Sequence, residues 1–442
     1  MRLRRSALLA IIPVSLACSP PPPSGATGNA DDGRVAAFVG ARIIDGTGRS
    51  PVEDGVLIVR EGRIEAVGPA ADHPPPAGAR RVDLRGKTLM PGMINAHGHV
   101  NNVRGLQSGP ELYTRDNITR QLRVYARYGV TTVFSLGDDG AAGVEVRDAQ
   151  PMNTVDMARL FLAGPVVSAT DPRAARRAVD EVAGMKADIV KIRVDDNLGT
   201  SAKMPPTAYK AVIDQAHQHG LEVAAHIFYL QDAKDLLAAG ADYIAHSVRD
   251  VAVDDALIGL LKARDICVCP TLMREVSTFV YESRPAFFDD PFFQREVEPS
   301  TIEGLEAAEY QTSIRNDAAA QQYKEALDVA QANLKRLTDA GVRIAFGTDT
   351  GPPGRFQGYF EHLELERMVE AGLTPMQALV AATGDAARCM NIGDRVGTLE
   401  PGLEADFLVL ERNPLEDIRH TRTLESVWIR GSLGNKREQA KD

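Results

Sequence analysis

The chain has 442 residues, of which 44% are hydrophobic and 25% are charged. These proportions are ordinary for a soluble globular protein and argue against a disordered, collagen-like or multi-span membrane chain. Lysine and arginine number 50 against 60 acidic residues, and no basic run is long enough to follow a phosphate backbone, so nucleic acid is not expected as a partner.

Residues 1–17 have the layout of a secretory signal peptide: three arginines, an apolar run and small residues. The ending SLAC resembles a bacterial lipobox, after which Cys18 would carry a lipid, although the position of Ser15 is usually leucine. We expect export to a bacterial periplasm and a membrane contact only through lipidated Cys18, with plain secretory cleavage as the alternative. Residues 18–33 are rich in proline and predict an extended tether.

Both ends of the remaining chain predict β-structure. Residues 34–88 consist of short apolar alternations broken by glycine-containing turns, which is typical of strands joined by tight turns. Residues 389–434 repeat this pattern. We therefore expect strands from both ends to form one small β-sandwich domain that bridges the termini.

Residues 89–388 alternate apolar, strand-like runs with helical patterns. The runs are TLMPGMINAH, GVTTVFSL, ARLFLAG, DIVKIRV, EVAAHI, YIAHSV, ICVCPTL and RIAFGTD. Strands with nearly continuous apolar content, each followed by a helix, indicate a parallel sheet covered on its outer face. Eight such units predict an α/β fold built on a closed (β/α)₈ (TIM) barrel. A doubly wound open sheet is the alternative.

One irregular spacing interrupts this pattern, where residues 274–330 insert an aromatic-rich segment and a long helical pattern. Such a segment can be a lid that overhangs the barrel mouth and favours apolar or aromatic substrate groups. The alternative is a helical hairpin that packs on the barrel or on a second subunit, so a homo-oligomer stays open.

Three cysteines remain for the folded part: Cys267, Cys269 and Cys389. The odd number argues against a disulfide framework. Cys267 and Cys269 alternate along one predicted strand and are interpreted as core filling rather than as metal ligands.

Polar residues with metal-binding chemistry lie on five of the eight apolar runs, where barrel enzymes assemble their active sites. They are His97, His99, Lys191, His226, His246 and Asp349. A single histidine in an apolar run is usually a core residue, but four histidines with a carboxylate indicate a metal centre. Imidazole and carboxylate ligands suit Zn²⁺ or a neighbouring divalent transition metal.

Lys191 can join such a centre only after a chemical change, because an ammonium group has no lone pair. Burial lowers the pKa of a lysine, and the free amine can react with CO₂ to give a carbamate that bridges two metals. The alternative is a lysine that reaches the barrel mouth or pairs with Asp195 or Asp196.

Several motifs resemble the amidohydrolase superfamily, in particular its imidazolonepropionase-like and Xaa-Pro-dipeptidase-like metal-dependent hydrolases. They include PGMINAHGH, DIVKI, AAHIFYLQDAKDLLAAGADYIAHS, GTDTG and AGLTPMQALVAATGDAARCMNIGDRVGTLEPGLEADFLVLERNPLEDI. The resemblance runs from about Val35 to Gly431. It implies a barrel joined to a small β-sandwich and a centre of two divalent ions, most simply Zn²⁺.

The resemblance also implies how the ligands divide between the two ions. His97 and His99 would hold the more buried ion, His226 and His246 the second. Carboxylated Lys191 would bridge them. Asp349 would bind the first ion and transfer protons.

The implied activity is hydrolysis of an amide C–N bond by a metal-bridging hydroxide, with Asp349 as the proton acceptor. The expected small-molecule substrate is a dipeptide or an N-acyl amino acid. A cyclic amide, a lactone or a carbamate is an alternative substrate class. A lipoprotein that only binds metal or a small ligand is the non-catalytic alternative.

Five further residues are candidate substrate contacts. Tyr229 stands where related one-metal deaminases have a glutamate, and its hydroxyl could bond the substrate carbonyl or the oxyanion. Arg193, Arg249 and Arg274 each follow a predicted strand end and could hold a substrate carboxylate. His362 follows the glycine-rich loop after the eighth run and could reach the barrel mouth.

Overall fold

The computed structural model describes residues 35–150 and 154–436. The predicted signal peptide, the tether and Cys18 lie outside the described residues. Within the described part, no helix combines the length and the apolar character needed to cross a membrane.

The described strands, in chain order, are β1 (Val35–Ile43), β2 (Val52–Arg60), β3 (Arg63–Pro69), β4 (Arg80–Asp83), β5 (Thr88–Pro91), β6 (Met93–Gly98), β7 (Val103–Arg104), β8 (Gln107–Ser108), β9 (Val130–Ser135), β10 (Arg159–Leu162), β11 (Val190–Arg193), β12 (Val223–His226), β13 (Tyr243–Ala245), β14 (Cys267–Cys269), β15 (Phe407–Leu410), β16 (Leu424–Ile429) and β17 (Ser432–Lys436).

The described α-helices are α1 (Arg115–Arg127), α2 (Ala141–Asp148), α3 (Pro172–Gly184), α4 (Pro206–Gln218), α5 (Leu230–Ala239), α6 (Asp255–Ala263), α7 (Leu272–Phe279), α8 (Pro291–Gln294), α9 (Pro299–Glu306), α10 (Ala308–Asn316), α11 (Ala318–Asp339), α12 (Tyr359–Glu370), α13 (Pro375–Val380) and α14 (Ala386–Cys389). Strands and helices together confirm the predicted α/β class.

Strands from both ends of the described chain share one eight-stranded sheet. Its order is β17-β16-β15-β5-β1-β2-β3, and β4 pairs with β1. Strand β15 runs antiparallel to β5, so the closing part of the chain is bonded directly to the strand that precedes β6. Three aromatic rings pack at its core, with Phe38 4.8 Å from both Phe407 and Trp428.

The middle of the chain forms parallel strands in two sheets, ordered β10-β9-β6 and β11-β12-β13-β14. Helices follow these strands, as the alternating pattern predicted, and the strands are almost entirely buried. The eighth apolar run is irregular, with only Ile344 bridging in parallel to Val268 of β14. On its other side, Ala96 of β6 donates a 2.9 Å hydrogen bond to the carbonyl of Phe346. Residues 344–346 therefore lie between β14 and β6.

The cysteines differ from the sequence expectation. Cys267, the first residue of β14, forms a disulfide with Cys389, the last residue of α14. Cys269 is free and buried. The expectation of no disulfide was wrong because 122 residues separate the pair in sequence, while the fold brings their Cα atoms to 5.9 Å.

The aromatic residues of the 274–330 insertion pack into the protein. Phe288 and Phe293 are buried, and their rings stack 5.6 Å apart. Phe287 lies 5.8 Å from Phe360 of α12, and Phe293 lies 5.0 Å from Tyr359. These contacts favour the packed interpretation of the segment over a lid that presents these rings to substrate.

A buried ion network joins the terminal sheet to the parallel strands. Arg159 of β10 lies 2.6 Å from Glu404 and 3.0 Å from Asp406, and Arg430 lies 2.9 Å from Glu404. Burial alone would raise the pKa of Glu404, but Arg159 and Arg430 outweigh it and lower the pKa to about 2. The carboxylate is therefore stabilised in its charged form at neutral pH.

We expect Glu404→Gln to lower the free energy of unfolding at pH 7 by about 3 kcal/mol, because it leaves buried guanidinium groups without their carboxylate. The pKa of Glu404 is lowered on folding, so its contribution is complete above pH 4.5 and is lost as the pH falls toward 2. Urea unfolding of the wild type and of Glu404→Gln, at pH 7 and near pH 2, measures this difference in the free energy of unfolding. Glu370→Gln, at an exposed end of α12, is the control. Equal losses in both variants would contradict the prediction.

Candidate metal centre

Strand β6 delivers two imidazoles to the end of the parallel strands. His97 is buried, whereas the side chain of His99 is 14% exposed, and the two ring centroids are 5.7 Å apart. Both rings face the same carboxylate, since Asp349 Oδ1 lies 2.8 Å from His99 Nε2 and 3.5 Å from His97 Nε2. The HGH motif and the GTD motif therefore meet at one point.

The backbone holds Asp349 against β6. The amide of Asp349 donates a 2.7 Å hydrogen bond to the carbonyl of His97, and the amide of Thr348 donates one of 3.1 Å. Asp349, His246 and Thr271 all adopt left-handed backbone geometry, with φ of 58°, 81° and 50°. Non-glycine residues rarely adopt such geometry, which concentrates at functional sites where the surrounding structure enforces it.

His226 and His246 continue the cluster from the ends of β12 and β13. The ring of His246 lies 4.5 Å from that of His97 and 4.2 Å from that of His226. The Nδ1 atom of His246 is 2.6 Å from Thr271 Oγ1, which leaves its Nε2 atom for the centre. One ligand atom from each of His97, His246 and Asp349 lies within 4.8 Å of the others.

Lys191 of β11 is buried, and its Nζ atom lies 3.1 Å from His97 Nε2. Among the described residues it forms no ion pair with Asp195 or Asp196, so the alternative that assigned it to these carboxylates is not observed. Burial lowers the pKa of Lys191 to about 8. The side chain therefore reaches the histidine cluster with a reduced tendency to hold its proton.

Burial also keeps the imidazoles neutral. It lowers the pKa of His97 and His246 well below the usual value and that of His226 to about 3. A neutral imidazole has the lone pair that a metal requires. Burial alone would raise the pKa of Asp349, but Arg355 and His99 outweigh it and hold that carboxyl well below its usual range.

These side chains fit a divalent metal. His97 Nδ1 is buried without a hydrogen-bond partner, and the adjacent ligand atoms are nitrogen and carboxylate oxygen, the set that Zn²⁺ prefers. Unprotonated groups of this kind, buried and close together, are costly unless something binds them.

Two carboxylates lie next to the residues of this cluster, and the sequence did not predict the contacts of either one. Asp195 Oδ2 lies 2.8 Å from His226 Nε2, close to it but without the angle of a hydrogen bond. Glu361 accepts hydrogen bonds from Asn95, Thr348 and Thr350, which flank His97 and Asp349. Such outer carboxylates orient the ligands of metal sites.

Two of the predicted substrate contacts are buried and bonded inside the protein. Arg249 is fully buried and donates to the carbonyls of Ile227 and Ser247, so it is a core residue. His362 is also buried, and its two ring nitrogens contact Thr421 Oγ1 and the carbonyl of Tyr128. Spacing after a strand could not reveal that these side chains point into the protein.

The other three predicted substrate contacts differ in exposure, and Arg274 is buried with its guanidinium 4.0 Å from the ring centroid of Tyr323. The Tyr229 hydroxyl donates a 2.8 Å hydrogen bond to Asp196. The side chain of Arg193 is 40% exposed and lies 3.2 Å from Asp195. Arg274 lies 3.1 Å from Glu275.

Arg355 was missed by sequence reasoning. It lies in the GPPGRFQG loop after the eighth apolar run, and its Nη1 atom is 2.5 Å from Asp349 Oδ2. The loop itself was noticed, but nothing in its spacing showed which of its residues faces the centre.

The amidohydrolase family model matches residues 88–434. The chain belongs to the amidohydrolase family. This confirms the resemblance seen in the motifs and the predicted class, a metal-dependent hydrolase acting on carbon–nitrogen bonds.

Individual relatives agree with this placement. The chain is 25% identical to ochratoxinase of Aspergillus niger over 91% of this chain and 87% of the relative, and 24% identical to imidazolonepropionase of Deinococcus deserti over 86% and 92%. A putative prolidase from Bifidobacterium longum has a similar structure, with a TM-score of 0.72, 26% identity, and coverage of 92% of this chain and 96% of that one. A Xaa-Pro dipeptidase with bound methionine has a TM-score of 0.72 at 21% identity, over 90% and 99% of the two chains.

Proposed function

We propose that this protein is a binuclear-metal amidohydrolase that cleaves the amide bond of a dipeptide or an N-acyl amino acid. The observation that carries the proposal is the buried cluster in which ligand atoms of His97, His246 and Asp349 lie within 4.8 Å of one another, with Lys191 Nζ 3.1 Å from His97. Similarity to proteins named prolidase and ochratoxinase supports a substrate with an amide or peptide bond.

The proposed ligands divide into two groups around Lys191. His97, His99 and Asp349 would hold one ion, and His226 and His246 the other. Lys191, carboxylated on its lowered-pKa amine, would bind both. Zn²⁺ is the metal we propose, because the donors are mainly imidazole nitrogens.

The chain's own residues account for proton transfer and orientation. Two divalent ions, when bound, supply Lewis acidity that lowers the pKa of water and polarises a carbonyl group. Asp349 accepts the proton of the attacking water and returns it to the leaving nitrogen. Tyr229 would donate to the oxygen that gains charge, after its hydroxyl leaves Asp196.

We also propose that the two parallel sheets form a closed (β/α)₈ barrel and that the terminal sheet folds into a β-sandwich. The position of residues 344–346 between β14 and β6 supports closure on one side. On the other side, the parallel bridge between Val167 and Ile192 links the chain after β10 to β11.

Removal of metal is expected to abolish hydrolysis, because Asp349 and neutral histidines alone cannot activate water. Dialysis against a chelator should lower turnover by at least about 10³-fold, and about two equivalents of Zn²⁺ per chain should restore it. Metal content is measured by mass spectrometry, and folding is followed by circular dichroism. Full activity in the chelated, metal-free protein would contradict the proposed mechanism.

Substrate class is tested with a panel of dipeptides, N-acyl amino acids, cyclic amides, lactones and carbamates. We expect turnover of the first two groups. Preferential turnover of a cyclic amide, a lactone or a carbamate would replace the proposed substrate class while keeping the metal chemistry. Two bound metal equivalents without turnover of any compound would indicate a metal-binding protein.

We further propose that the protein is exported and held at a membrane by a lipid on Cys18. The Cys267–Cys389 disulfide supports export, because disulfides persist mainly outside the cytosol. In cells that express the full chain, the protein should fractionate with membranes and Cys18→Ala should not carry the lipid. Alkylation without reductant should leave Cys267 and Cys389 unmodified. Cytosolic protein with all thiols alkylated would contradict export.

A further inference from the structure

Helix α7 begins directly beside His246 and lacks the usual cap. Thr271 stands at its N-cap position, but the backbone there is left-handed, with φ of 50°, and the side chain does not bond the first turn of the helix. An N-cap threonine normally has an extended backbone and accepts a hydrogen bond from one of the first helical amides. Here the buried Oγ1 atom lies 2.6 Å from His246 Nδ1 instead. The hydroxyl that would cap α7 is therefore used on the histidine.

A glutamate from another helix supplies the missing cap. Glu364 of α12 is fully buried, and each of its carboxyl oxygens accepts one backbone hydrogen bond, Oε1 from Leu272 at 2.8 Å and Oε2 from Met273 at 2.6 Å. The first amides of a helix have no partner within it and must be satisfied from outside when they are buried. Among the described residues, the side chain of Glu364 forms no ion pair, so capping α7 is the interaction that accounts for its position.

The backbone of Thr271 is strained, which makes its contact with His246 informative. A β-branched residue with positive φ is uncommon and costly. An extended backbone would relieve this cost and would return the hydroxyl to the amides of α7. Glu364 already occupies those amides, so the hydroxyl would gain no hydrogen bond there. Glu364 therefore favours the conformation in which the hydroxyl of Thr271 faces His246.

Helix α7 is also tied to the other histidine in this half of the centre. Glu275 of α7 lies 2.9 Å from Nε of Arg249. The Nη1 atom of Arg249 donates to the carbonyls of the residues that directly follow His226 and His246, at 2.9 and 2.7 Å. A displacement of α7 would therefore reach both histidines that we assign to the second ion.

The first ion has a different support on the same helix. Glu361 precedes Glu364 by three residues, so the two side chains lie on one face of α12. Glu361 accepts its three side-chain hydrogen bonds beside His97 and Asp349, whereas Glu364 bonds only to α7. The two halves of the cluster thus depend on different glutamates, and the effect of changing Glu364 is expected in one half.

We propose that Glu364 is a positioning residue for His246: by capping α7 it keeps the hydroxyl of Thr271 on His246 Nδ1 and so leaves Nε2 for the second ion. This inference rests on the proposed binuclear centre and adds to it a residue that touches no metal ligand. Loss of such an outer contact typically lowers metal affinity by about 10–100-fold.

The test measures metal affinity rather than turnover. Full-length protein freed of metal is titrated with Zn²⁺ against a competing chelator, and with Co²⁺, whose visible absorption depends on ligand geometry. Glu364→Gln places an NH₂ group against one of the two helical N–H donors. It should weaken one of the two Zn²⁺ equivalents by about 10–100-fold, and change the Co²⁺ spectrum of that site, while the other equivalent is unaffected. Glu370→Gln, at the exposed end of α12, should bind both ions as the wild type does.

Variants of Thr271 test whether the effect passes through its hydroxyl. Thr271→Val should weaken the same equivalent by about 10–100-fold, whereas Thr271→Ser keeps the hydroxyl and should retain wild-type affinity for both ions. Because Glu364 is proposed to act through this hydroxyl, the variant that combines Thr271→Val with Glu364→Gln should lose no more affinity than Thr271→Val alone.

Four outcomes decide the inference. Wild-type affinity for both ions in Glu364→Gln would overturn it, as would equal weakening of both ions. A combined variant whose loss equals the sum of the two separate free-energy losses would also overturn it, because the residues would then act independently. Two bound equivalents without hydrolysis of any amide, with the selective loss in Glu364→Gln intact, would overturn the proposed function and support the inference.

A second substitution covers the case in which Glu364→Gln does not fold. Glu364→Asp keeps both oxygens on a side chain that is one methylene shorter, and it should weaken the same Zn²⁺ equivalent. Wild-type affinity for both ions in a folded Glu364→Asp protein would then overturn the inference.

Discussion

Lys191→Ala is expected to lower kcat/KM by at least about 10³-fold. The Nζ atom of Lys191 lies 3.1 Å from His97 Nε2 and is buried. Burial of a lysine side chain is unfavourable unless the group binds a partner, and a metal ion would be such a partner. In the proposed centre, carboxylated Lys191 would bind both ions, so its loss would remove several kcal/mol of Lewis-acid stabilisation, and each 1.36 kcal/mol corresponds to about tenfold in rate. Turnover and bound metal are measured together.

A chemical rescue distinguishes a carbamate from a plain lysine. Added acetate or propionate should restore part of the activity of Lys191→Ala, because a free carboxylate could occupy the space of the proposed carbamate. Lys210→Ala, an exposed position on α4 that pairs with Asp214, is the matched control and should behave as the wild type. Wild-type turnover and metal content in Lys191→Ala would contradict the assignment of this residue to the centre.

Asp349→Asn is expected to reduce kcat by about 10²–10⁴-fold, the range for loss of a general base. The carboxylate lies 2.8 Å from His99 and 2.5 Å from Arg355. A neutral amide at this position can neither take up a proton from water nor neutralise the charge of Arg355. Steady-state kinetics together with metal content measure the effect, since a variant that keeps its metal isolates the proton-transfer role.

The control for Asp349→Asn is Asp339→Asn at the exposed end of α11. We expect this variant to keep the wild-type kcat and melting temperature. An Asp349→Asn enzyme with full metal and unchanged kcat would assign the base to another residue.

Much of the candidate site was predictable because its residues mark ends of apolar runs. HGH, the lysine of DIVKIRV and the aspartate of GTD each follow or interrupt an otherwise buried strand, and the carboxyl ends of parallel strands meet at one edge. The alternation of strands and helices predicted the α/β class for the same reason. The local sequence pattern is sufficient to predict a site residue where a residue type that can bind metal also stands at the end of a predicted strand.

Contacts set by distant parts of the chain were not predictable. The Cys267–Cys389 disulfide depends on packing between β14 and α14. Arg355 reaches Asp349 through the shape of its loop, whereas Arg249 turns inward to backbone carbonyls. In a single sequence an arginine that binds a ligand and an arginine that stabilises a loop have the same appearance, because the difference lies in side-chain direction.

The junction between β5 and β6 links the terminal sheet to the histidines. Only Gly92 separates the two strands. A Cβ atom at this position would lie 2.2 Å from Thr131 Oγ1, so the junction has no room for a larger residue. Strand β5 is in turn clamped between β1 and β15. Strands β1 and β15, from the two end segments of the described chain, therefore hold the strand that leads directly into His97, and a substitution that shifts either strand is expected to displace the histidines of the proposed centre.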